Sequence, residues 1–296
     1  MSGESQGLKT YRGNCHCGAF VYEAKLPEVK SYSECNCSLC HKVGYAWLFP
    51  DQGNLDIVKG SVDDLKAYTF NKGDYVYRFC SDCGTAVLAE MPNKPPGMKI
   101  GINARAIQNL DCWSLEAKPF DGKSTPPSYN PPVYKGPEPS AAIENGKTYH
   151  GSCHCGAVTV AVKLEKPLED WDISVQKERI VECNCSICAR GGYVWIYPPK
   201  ENSVIEGREH LSYRIFRSRI LRKPFCKHCG VHICNELNPL TDEEVEGLSD
   251  VAKGFHDRIK HLRPINLRIL NDFDCKVLKT EHADGWNEFK PHYVNP

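Results

Sequence analysis

Short stretches of β-branched and aromatic residues, bounded by Gly, Pro and Asn, recur along the whole chain. Such stretches are typical of strands, because branched and aromatic side chains pack well on a pleated surface. The pattern therefore predicts a mostly β protein built from antiparallel strands. The predicted strands are AFVYEAKL (19–26), YAWLFP (45–50), AYTF (67–70), YVYRF (75–79) and TAVLAEM (85–91), then AVTVAVKL (157–164), YVWIYP (193–198), SYRIF (212–216) and VHICNEL (231–237).

These strands form two series, because the sequence repeats itself. Repeats on this scale indicate a duplicated domain, and 296 residues suit two domains of about 150 residues each. We predict a first domain over residues 1–120, a Pro-rich linker over 121–146 and a second domain over 147–296. The matching blocks are YRGNCHCGAFVYEAKL (11–26) with YHGSCHCGAVTVAVKL (149–164), ECNCSLCHKVGYAWLFP (34–50) with ECNCSICARGGYVWIYP (182–198), RFCSDCGTAV (78–87) with PFCKHCGVHI (224–233), and INARAIQNLDC (102–112) with INLRILNDFDC (265–275).

Two insertions distinguish the second copy. EKPLEDWDISVQKER (165–179) separates its first two blocks, and LTDEEVEGLSDVAKGFHDRIKHL (240–262) follows its last C-x-x-C. The second insertion is polar and is predicted to be helical in part. Insertions of this size normally lie on the surface and often border a site.

Composition and charge indicate where the protein acts and which kinds of partner, such as membranes or nucleic acids, are not expected. The N-terminal segment MSGESQGLKT lacks the apolar stretch of a secretory signal, which predicts a cytoplasmic location, with a nuclear one as the alternative. No run approaches the roughly 18 apolar residues needed to span a bilayer, so no membrane partner is expected. Lys+Arg and Asp+Glu both total 37, without the basic excess of a nucleic-acid binder. Seventeen cysteines in a reducing compartment favour metal binding over disulfides.

Each copy contains seven cysteines, arranged as C-x-C, C-x-C-x-x-C and C-x-x-C. A structural zinc usually has four protein ligands, whereas a catalytic zinc has three and keeps one position open. The compact C-x-C-x-x-C can bind one ion by itself, and the two flanking motifs can together complete a second tetrahedron. Another pairing of the same thiols remains geometrically possible. We expect about two zinc ions per domain and four per chain. The predicted closed sites are Cys15, Cys17, Cys80 and Cys83, and Cys153, Cys155, Cys226 and Cys229; the predicted open sites are Cys35, Cys37 and Cys40, and Cys183, Cys185 and Cys188.

Other residues near these motifs are interpreted as structural. His16 and His154 lie inside the first C-x-C, where the backbone turns them away from the metal of their neighbours. Trp47 and Trp195, at matching strand positions, are predicted to belong to the core rather than to a pocket wall. The alternative reading of the open sites is that both metals of a copy only hold the fold together.

The cysteine motifs resemble those of a known family. G-x-C-x-C-G, then C-x-C-S-x-C with a glycine four residues later (Gly44, Gly192), then F-C-x-x-C-G is similar to the glutathione-dependent formaldehyde-activating enzyme family, which also includes centromere protein V. The resemblance covers nearly the whole chain, twice. It implies two tandem zinc-stapled β domains of the β-tent, Mss4-like type, each with one structural and one catalytic zinc, the latter at the three-cysteine site.

The resemblance also implies an activity. Members are carbon–sulfur lyases, typified by the reversible condensation of glutathione with formaldehyde to S-hydroxymethylglutathione. A thiol such as glutathione, or its adduct, is then the expected partner, and a monomer or homodimer the expected assembly. Lys42 and Arg190, after the third cysteine of each open site, are predicted to attract glutathione carboxylates, with ordinary solvated surface as the alternative. The rival functions are a non-catalytic interaction module and a zinc-buffering protein.

Overall fold

The computed structural model describes residues 7–172, 174, 179–216 and 219–296. As predicted, the protein is mostly β. The described residues fall into two compact units. Unit 1 contains the residues up to Tyr129 together with Cys185–Gly192 and His292–Pro296, and unit 2 contains residues 130–184 and 193–291.

Unit 1 begins with a three-stranded antiparallel sheet. Its strands are β1 (Lys9–Asn14), β2 (Val21–Leu26) and β5 (Leu55–Lys59), with β2 in the centre. Along β2 the side chains of Tyr22 and Ala24 are fully buried, whereas Lys25 is exposed. This sheet carries the first C-x-C in the turn between β1 and β2, because Cys15 and Cys17 directly follow β1.

A seven-stranded sheet completes unit 1. Its order is β10-β3-β4-β9-β8-β7-β6, and only β10 runs parallel to its neighbour, β3. The predicted strand at 45–50 is reduced to the two residues of β4. The strands are β3 (Ser31–Cys35), β4 (Trp47–Leu48), β6 (Lys66–Tyr68), β7 (Val76–Phe79), β8 (Ala86–Glu90), β9 (Ile100–Asn103) and β10 (Glu116–Phe120). Helix α1 (Ser38–Val43) connects β3 to β4, and helix α2 (Ser186–Gly191) also belongs to this unit.

Unit 2 has three sheets, of three, four and three strands. One contains β11 (Lys147–Ser152), β12 (Thr159–Leu164) and β15 (Ser203–Glu206). The second has the order β19-β14-β13-β20, where β13 is Ile180–Cys183, β14 is Trp195–Ile196, β19 is Ile265–Asn266 and β20 is Glu281–Ala283. As in unit 1, the last strand pairs in parallel, here β20 with β13. The third contains β16 (Leu211–Ile215), β17 (Leu221–Cys226) and β18 (Glu236–Leu237).

Of the two insertions of the second copy, the structure describes residues 240–262 in full and residues 165–179 in part. Residues 240–262 contain the predicted helical structure, as α3 (Asp242–Glu246) and α4 (Asp250–Ile259), and α5 (Gly285–Glu288) lies nearer the C-terminus. The Thr241 side chain caps α3 by accepting from the Glu244 amide, which satisfies one free N–H group of the first turn. In the insertion at 165–179, residue 173 and residues 175–178 lie outside the described part of the chain.

The compact units and the predicted domains have different bounds, and the domain bounds stay a prediction. The predicted linker, residues 121–146, is divided after Tyr129, and two segments of the predicted second domain, Cys185–Gly192 and His292–Pro296, pack within unit 1. Within unit 1 these segments take part in a polar network, in which Arg190 donates to Asn14 and to Asn295. Among the described residues, no helix has the length and apolar character of a membrane-spanning segment.

Candidate metal centres

The cysteines of the two flanking motifs come together in each copy. In unit 1 the sulfur atoms of Cys15, Cys17, Cys80 and Cys83 all lie within 4.8 Å of one another. Cys15 Sγ is 3.4 Å from Cys17 Sγ, which is 3.5 Å from Cys80 Sγ. Unit 2 has the same arrangement, with 3.5 Å between Cys153 and Cys155 and 3.6 Å between Cys155 and Cys226. The complete set in unit 2 is Cys153, Cys155, Cys226 and Cys229.

These four-cysteine clusters fit zinc. All seventeen cysteines lie in the described part of the chain and none is in a disulfide. With Zn–S bonds of about 2.3 Å, a tetrahedron of four sulfurs has edges of about 3.8 Å, close to the sulfur separations found here. Four thiolates in a closed, largely buried set are the donor chemistry of a structural zinc site.

The C-x-x-C-G sequence explains the shape of the second half of each cluster. In unit 1 the Gly84 amide donates to the Cys80 carbonyl over 2.9 Å, and the Cys80 amide donates to the Thr85 carbonyl over 2.9 Å. Gly84 adopts φ 69°, a left-handed conformation that suits glycine. The tight turn therefore points Cys80 and Cys83 toward one point.

Backbone amides also support the sulfur atoms. The amide of Phe20 donates to Cys15 Sγ over 3.3 Å, and the amide of Val158 donates to Cys153 Sγ over the same distance. Such outer contacts stabilise the negative charge of a metal-bound thiolate and fix its orientation. Because C-x-C lies at the start of each copy and C-x-x-C lies far along it, the cluster joins the start of each copy to its later strands.

The C-x-C-x-x-C motif forms a separate three-cysteine cluster in each copy. Cys35 ends β3, Cys37 precedes α1 and Cys40 lies in its first turn, and their sulfur atoms lie within 4.8 Å of one another. Helix α1 ends at Gly44, which has φ 74° and whose amide donates to the Cys40 carbonyl. This explains the glycine four residues after the third cysteine. In the second copy, Cys183, Cys185 and Cys188 cluster in the same way, and α2 ends at Gly192.

Three sulfur donors fit one tetrahedral zinc that keeps a position for another ligand. In the first copy, hydrogen bonds from the thiols of Cys37 and Cys40, and then from the Cys37 amide, lower the pKa of the Cys35 thiol. These contacts favour the thiolate form of Cys35, which is the form that binds a metal ion. The arrangement can bind a metal ion and present it to a small molecule.

Gly122 is a site residue that sequence reasoning missed, since residues 121–146 were predicted to be linker. A side chain at Gly122 would overlap Cys35 Sγ and press on Cys37 Cβ. Asp121 holds the segment in place, because its Oδ1 accepts from Asn36 Nδ2 over 2.9 Å. Asn36 Oδ1 in turn accepts from the Lys123 amide over 2.8 Å.

The second copy contains the same arrangement. Asn184 Nδ2 donates to Asp284 Oδ1 over 2.9 Å, and the Trp286 amide donates to Asn184 Oδ1 over 2.8 Å. A side chain at Gly285 would overlap Cys183 Sγ. The signal in the sequence is an Asp-Gly dipeptide directly after the last strand of each copy, together with the Asn between the first two cysteines of C-N-C.

Aromatic side chains border the three-cysteine cluster of the first copy. Trp47 Nε1 donates to Cys40 Sγ over 3.2 Å, and the Trp47 ring stacks on Tyr45 with 4.1 Å between centroids. Tyr77 packs against both rings. Burial, and then the nearby thiols of Cys40 and Cys37, raise the pKa of the Tyr77 phenol, so its hydroxyl stays protonated. Trp47 is buried, as a core residue would be, and it also contacts the cluster.

The matching tryptophan of the second copy is placed differently. Trp195 is 1% exposed, and its Nε1 has no hydrogen-bond partner among the described atoms. The two copies therefore share their cysteine clusters but differ in the hydrogen bonding of the tryptophan next to the three-cysteine cluster.

Lys42 and Arg190 are both buried, with exposures of 4% and 6%. Neither side chain belongs to a solvated surface. In unit 1 the Arg190 guanidinium donates to the carbonyl and Oδ1 of Asn14 and to the Ser186 carbonyl. Desolvation lowers the pKa of Arg190 below its ordinary value. Its donors are thus engaged within the protein, and a role toward glutathione carboxylates stays a prediction for both residues.

The two histidines of the C-x-C motifs are buried, with 3% exposure each. In unit 1, His16 Nε2 lies 3.2 Å from Ser186 Oγ, and the His16 ring stacks on Tyr293 with 4.9 Å between centroids. Neither His16 nor His154 belongs to a group of metal-ligating atoms among the described residues.

Comparison with known proteins supports the repeat. The sequence model described as glutathione-dependent formaldehyde-activating enzyme matches residues 10–119 and, separately, residues 148–270. Each match includes all seven cysteines of its copy. A crystal structure of a Rhodobacter sphaeroides protein aligns with 45% of this chain and 98% of its own, at 22% sequence identity and a TM-score of 0.32. A similarity that weak supports no conclusion about fold or function.

Proposed function

Because the chain belongs to the glutathione-dependent formaldehyde-activating enzyme family, we propose that it is a zinc-dependent carbon–sulfur lyase acting on a glutathione or other thiol adduct. The reaction would be of the type that forms S-hydroxymethylglutathione. The observation that supports it most is the cluster of three cysteines, separate from a complete set of four, in each copy.

The number of cysteine ligands in each cluster suggests which clusters would be structural and which would bind substrate. Four thiolates leave a zinc ion no position for substrate, so the four-cysteine clusters would be structural. Zinc bound by three thiolates would supply a position where a substrate thiol loses its proton and becomes nucleophilic. We therefore propose four zinc ions per chain, two of them at the three-cysteine clusters.

The residues around the first cluster suit this chemistry. Trp47 Nε1 and the Cys37 amide donate to the sulfurs of Cys40 and Cys35, which disperses their negative charge and keeps both cysteines as ligands rather than nucleophiles. In the forward reaction the substrate sulfur forms a bond to the carbonyl carbon, and the proton lost by the thiol ends on the former carbonyl oxygen. In reverse the carbon–sulfur bond breaks and the thiol is restored.

A small thiol as partner agrees with the zero formal charge of the chain, which offers no basic surface excess to a nucleic acid. We propose that the protein acts in the cytoplasm as a monomer or homodimer.

Metal content, glutathione binding and turnover together test the proposal. We would measure the zinc content per chain and the binding of glutathione by calorimetry. NMR would follow the exchange between the adduct S-hydroxymethylglutathione and its two components, glutathione and formaldehyde. The comparison includes Cys40→Ser, Cys188→Ser and, as the matched control outside both clusters, Cys112→Ser. Four zinc ions in the parent, with binding and exchange lost in Cys40→Ser or Cys188→Ser and kept in Cys112→Ser, is the expected result. Four zinc ions without any response to glutathione would support a non-catalytic interaction module instead.

A further inference from the structure

A cross-strand pair beside the first three-cysteine cluster has changed as a pair in the second copy. In unit 1, Tyr77 on β7 pairs with Ala89 on β8. Tyr77 is buried against Tyr45 and Trp47, and the charge of the nearby thiols acts on its hydroxyl. The side chains of Tyr77, Tyr45 and Trp47 thus place three aromatic rings next to this cluster.

The repeat gives the counterparts of this pair when the matching block is extended without gaps at both ends. One residue before R-F-C (78–80) and P-F-C (224–226), Lys223 stands at the position of Tyr77, and two residues beyond the block Asn235 stands at the position of Ala89. An aromatic residue and a methyl group are thus replaced by a cation and an amide. Lys223 Nζ donates to Asn235 Oδ1 over 2.6 Å, so the two changes depend on each other.

Lys223 is held in a deep position among aromatic rings. Its exposure is 2%, and its Nζ lies 4.3 Å from the ring centroid of Trp195 and 4.9 Å from that of Tyr193. Aromatic faces attract cations, most strongly where water is excluded. Trp195 and Tyr193 are the counterparts of Trp47 and Tyr45, so the cation faces the part of unit 2 that corresponds to these aromatic rings of unit 1.

The positive charge of Lys223 has no carboxylate partner among the described residues. Burying an ammonium group is costly unless an anion compensates it. Of its three N–H donors, one is accepted by Asn235, and the Asn235 amide nitrogen carries two more donors. A buried cation with unused donors beside it is the chemistry of an anion site.

We propose that Lys223 and Asn235 form an anion-binding pair that takes a carboxylate of an acidic thiol in the second copy, where the matching residues of the first copy, Tyr77 and Ala89, carry no charge. This inference rests on the proposed function for the identity of the ligand as a thiol. It assigns the carboxylate contact to a residue in a strand, away from the basic positions that follow the third cysteine.

The chain itself offers the best variant for a test. Lys223→Tyr with Asn235→Ala rebuilds in unit 2 the pair that unit 1 accommodates, which limits the risk of misfolding. Lys166→Met, at an exposed lysine of unit 2, removes the same charge elsewhere and serves as the control. The double variant, the Lys166→Met control and the chain with Lys223 and Asn235 unchanged all carry Cys40→Ser. Binding is therefore measured with the first three-cysteine cluster disabled.

The probes are glutathione and glutathione diethyl ester, which keeps the thiol but blocks both carboxylates. We expect glutathione to bind about tenfold more tightly than its ester, a difference of 1.4 kcal/mol. The Lys166→Met control should keep that ratio, and the double variant should bring it close to one at unchanged zinc content. A preference for glutathione that persists in the double variant overturns the inference.

S-methylglutathione separates this inference from the proposed function, because it has both carboxylates and no free thiol. Binding of S-methylglutathione that is lost in the double variant supports the anion pair even if no thiol adduct is turned over. If neither S-methylglutathione nor glutathione binds the zinc-loaded chain with Lys223 intact, the anion pair is wrong. If both bind through Lys223 but exchange is not accelerated, only the lyase proposal fails.

Discussion

The indole Nε1 of Trp47 donates a hydrogen bond to Sγ of Cys40 across 3.2 Å, whereas Nε1 of the matching Trp195 has no partner among the described atoms. Trp47→Phe keeps a ring against Tyr45 but removes this donor. Outer contacts of this kind contribute about tenfold to a hundredfold in metal affinity or activity, and we expect the lower end because sulfur is a weak acceptor. Competition with a chromogenic chelator would measure the loss of zinc affinity.

Trp195→Phe is the matched control for that experiment, since no sulfur accepts from its indole among the described atoms. It should leave the zinc affinity of the second copy within about twofold, while any cost of the changed ring shape appears in thermal stability instead. Equal losses of zinc affinity in both variants would show that ring packing, not the N–H···S contact, supports the cluster.

Gly122→Ala should remove one zinc ion, because the added methyl group would overlap Cys35 Sγ. Zinc content measured by mass spectrometry is expected to fall from four to three per chain, with Gly285→Ala giving the same result at Cys183. Gly254→Ala is the control: this glycine lies in α4 with nothing within 4 Å of the new methyl group. A helical Gly→Ala change should be neutral or stabilising by up to about 1 kcal/mol. Four zinc ions in Gly122→Ala would mean that the 121–123 segment moves freely away from the cluster.

Much of the fold and the grouping of cysteines can be anticipated from the sequence, because both depend on local patterns. The alternation of residues predicts strands, and the short spacing of C-x-C-x-x-C keeps its sulfurs together whatever surrounds them. Gly122 could not be assigned in the same way, since its contact with Cys35 depends on β10 pairing in parallel with β3 after some eighty intervening residues. The strand predicted at 231–237 is also shorter than expected, with only Glu236–Leu237 in β18.

Arg190 shows a different limit of sequence reasoning. Its position after the third cysteine indicated a contact with substrate, but a guanidinium group is equally able to satisfy buried carbonyl oxygens. Which of the two it does depends on what packs against α2, and in unit 1 that is Asn14. Neither residue type nor spacing contains this information.

Arg190→Met distinguishes these two roles. In unit 1 it leaves the carbonyl and the Oδ1 of Asn14 without this donor, so we expect the free energy of unfolding to fall by about 1.5–3 kcal/mol. Chemical denaturation of the zinc-loaded protein measures that loss. Glutathione affinity of the folded protein should change by less than about twofold, since no carboxylate contact is removed. A tenfold loss of glutathione affinity with unchanged stability would instead support the predicted role toward substrate.

Stepwise removal of metal should separate the two kinds of cluster. A chelator can approach a zinc ion through an open coordination position, and each three-cysteine cluster offers one protein ligand fewer than a four-cysteine cluster. We therefore expect two zinc ions to be released quickly and two slowly when the protein is mixed with a chelator and followed by a metal-sensitive dye. Saturating glutathione should slow only the fast phase, because the thiol occupies the open position. Release of all four ions in a single phase, with or without glutathione, would contradict the division into four and three ligands.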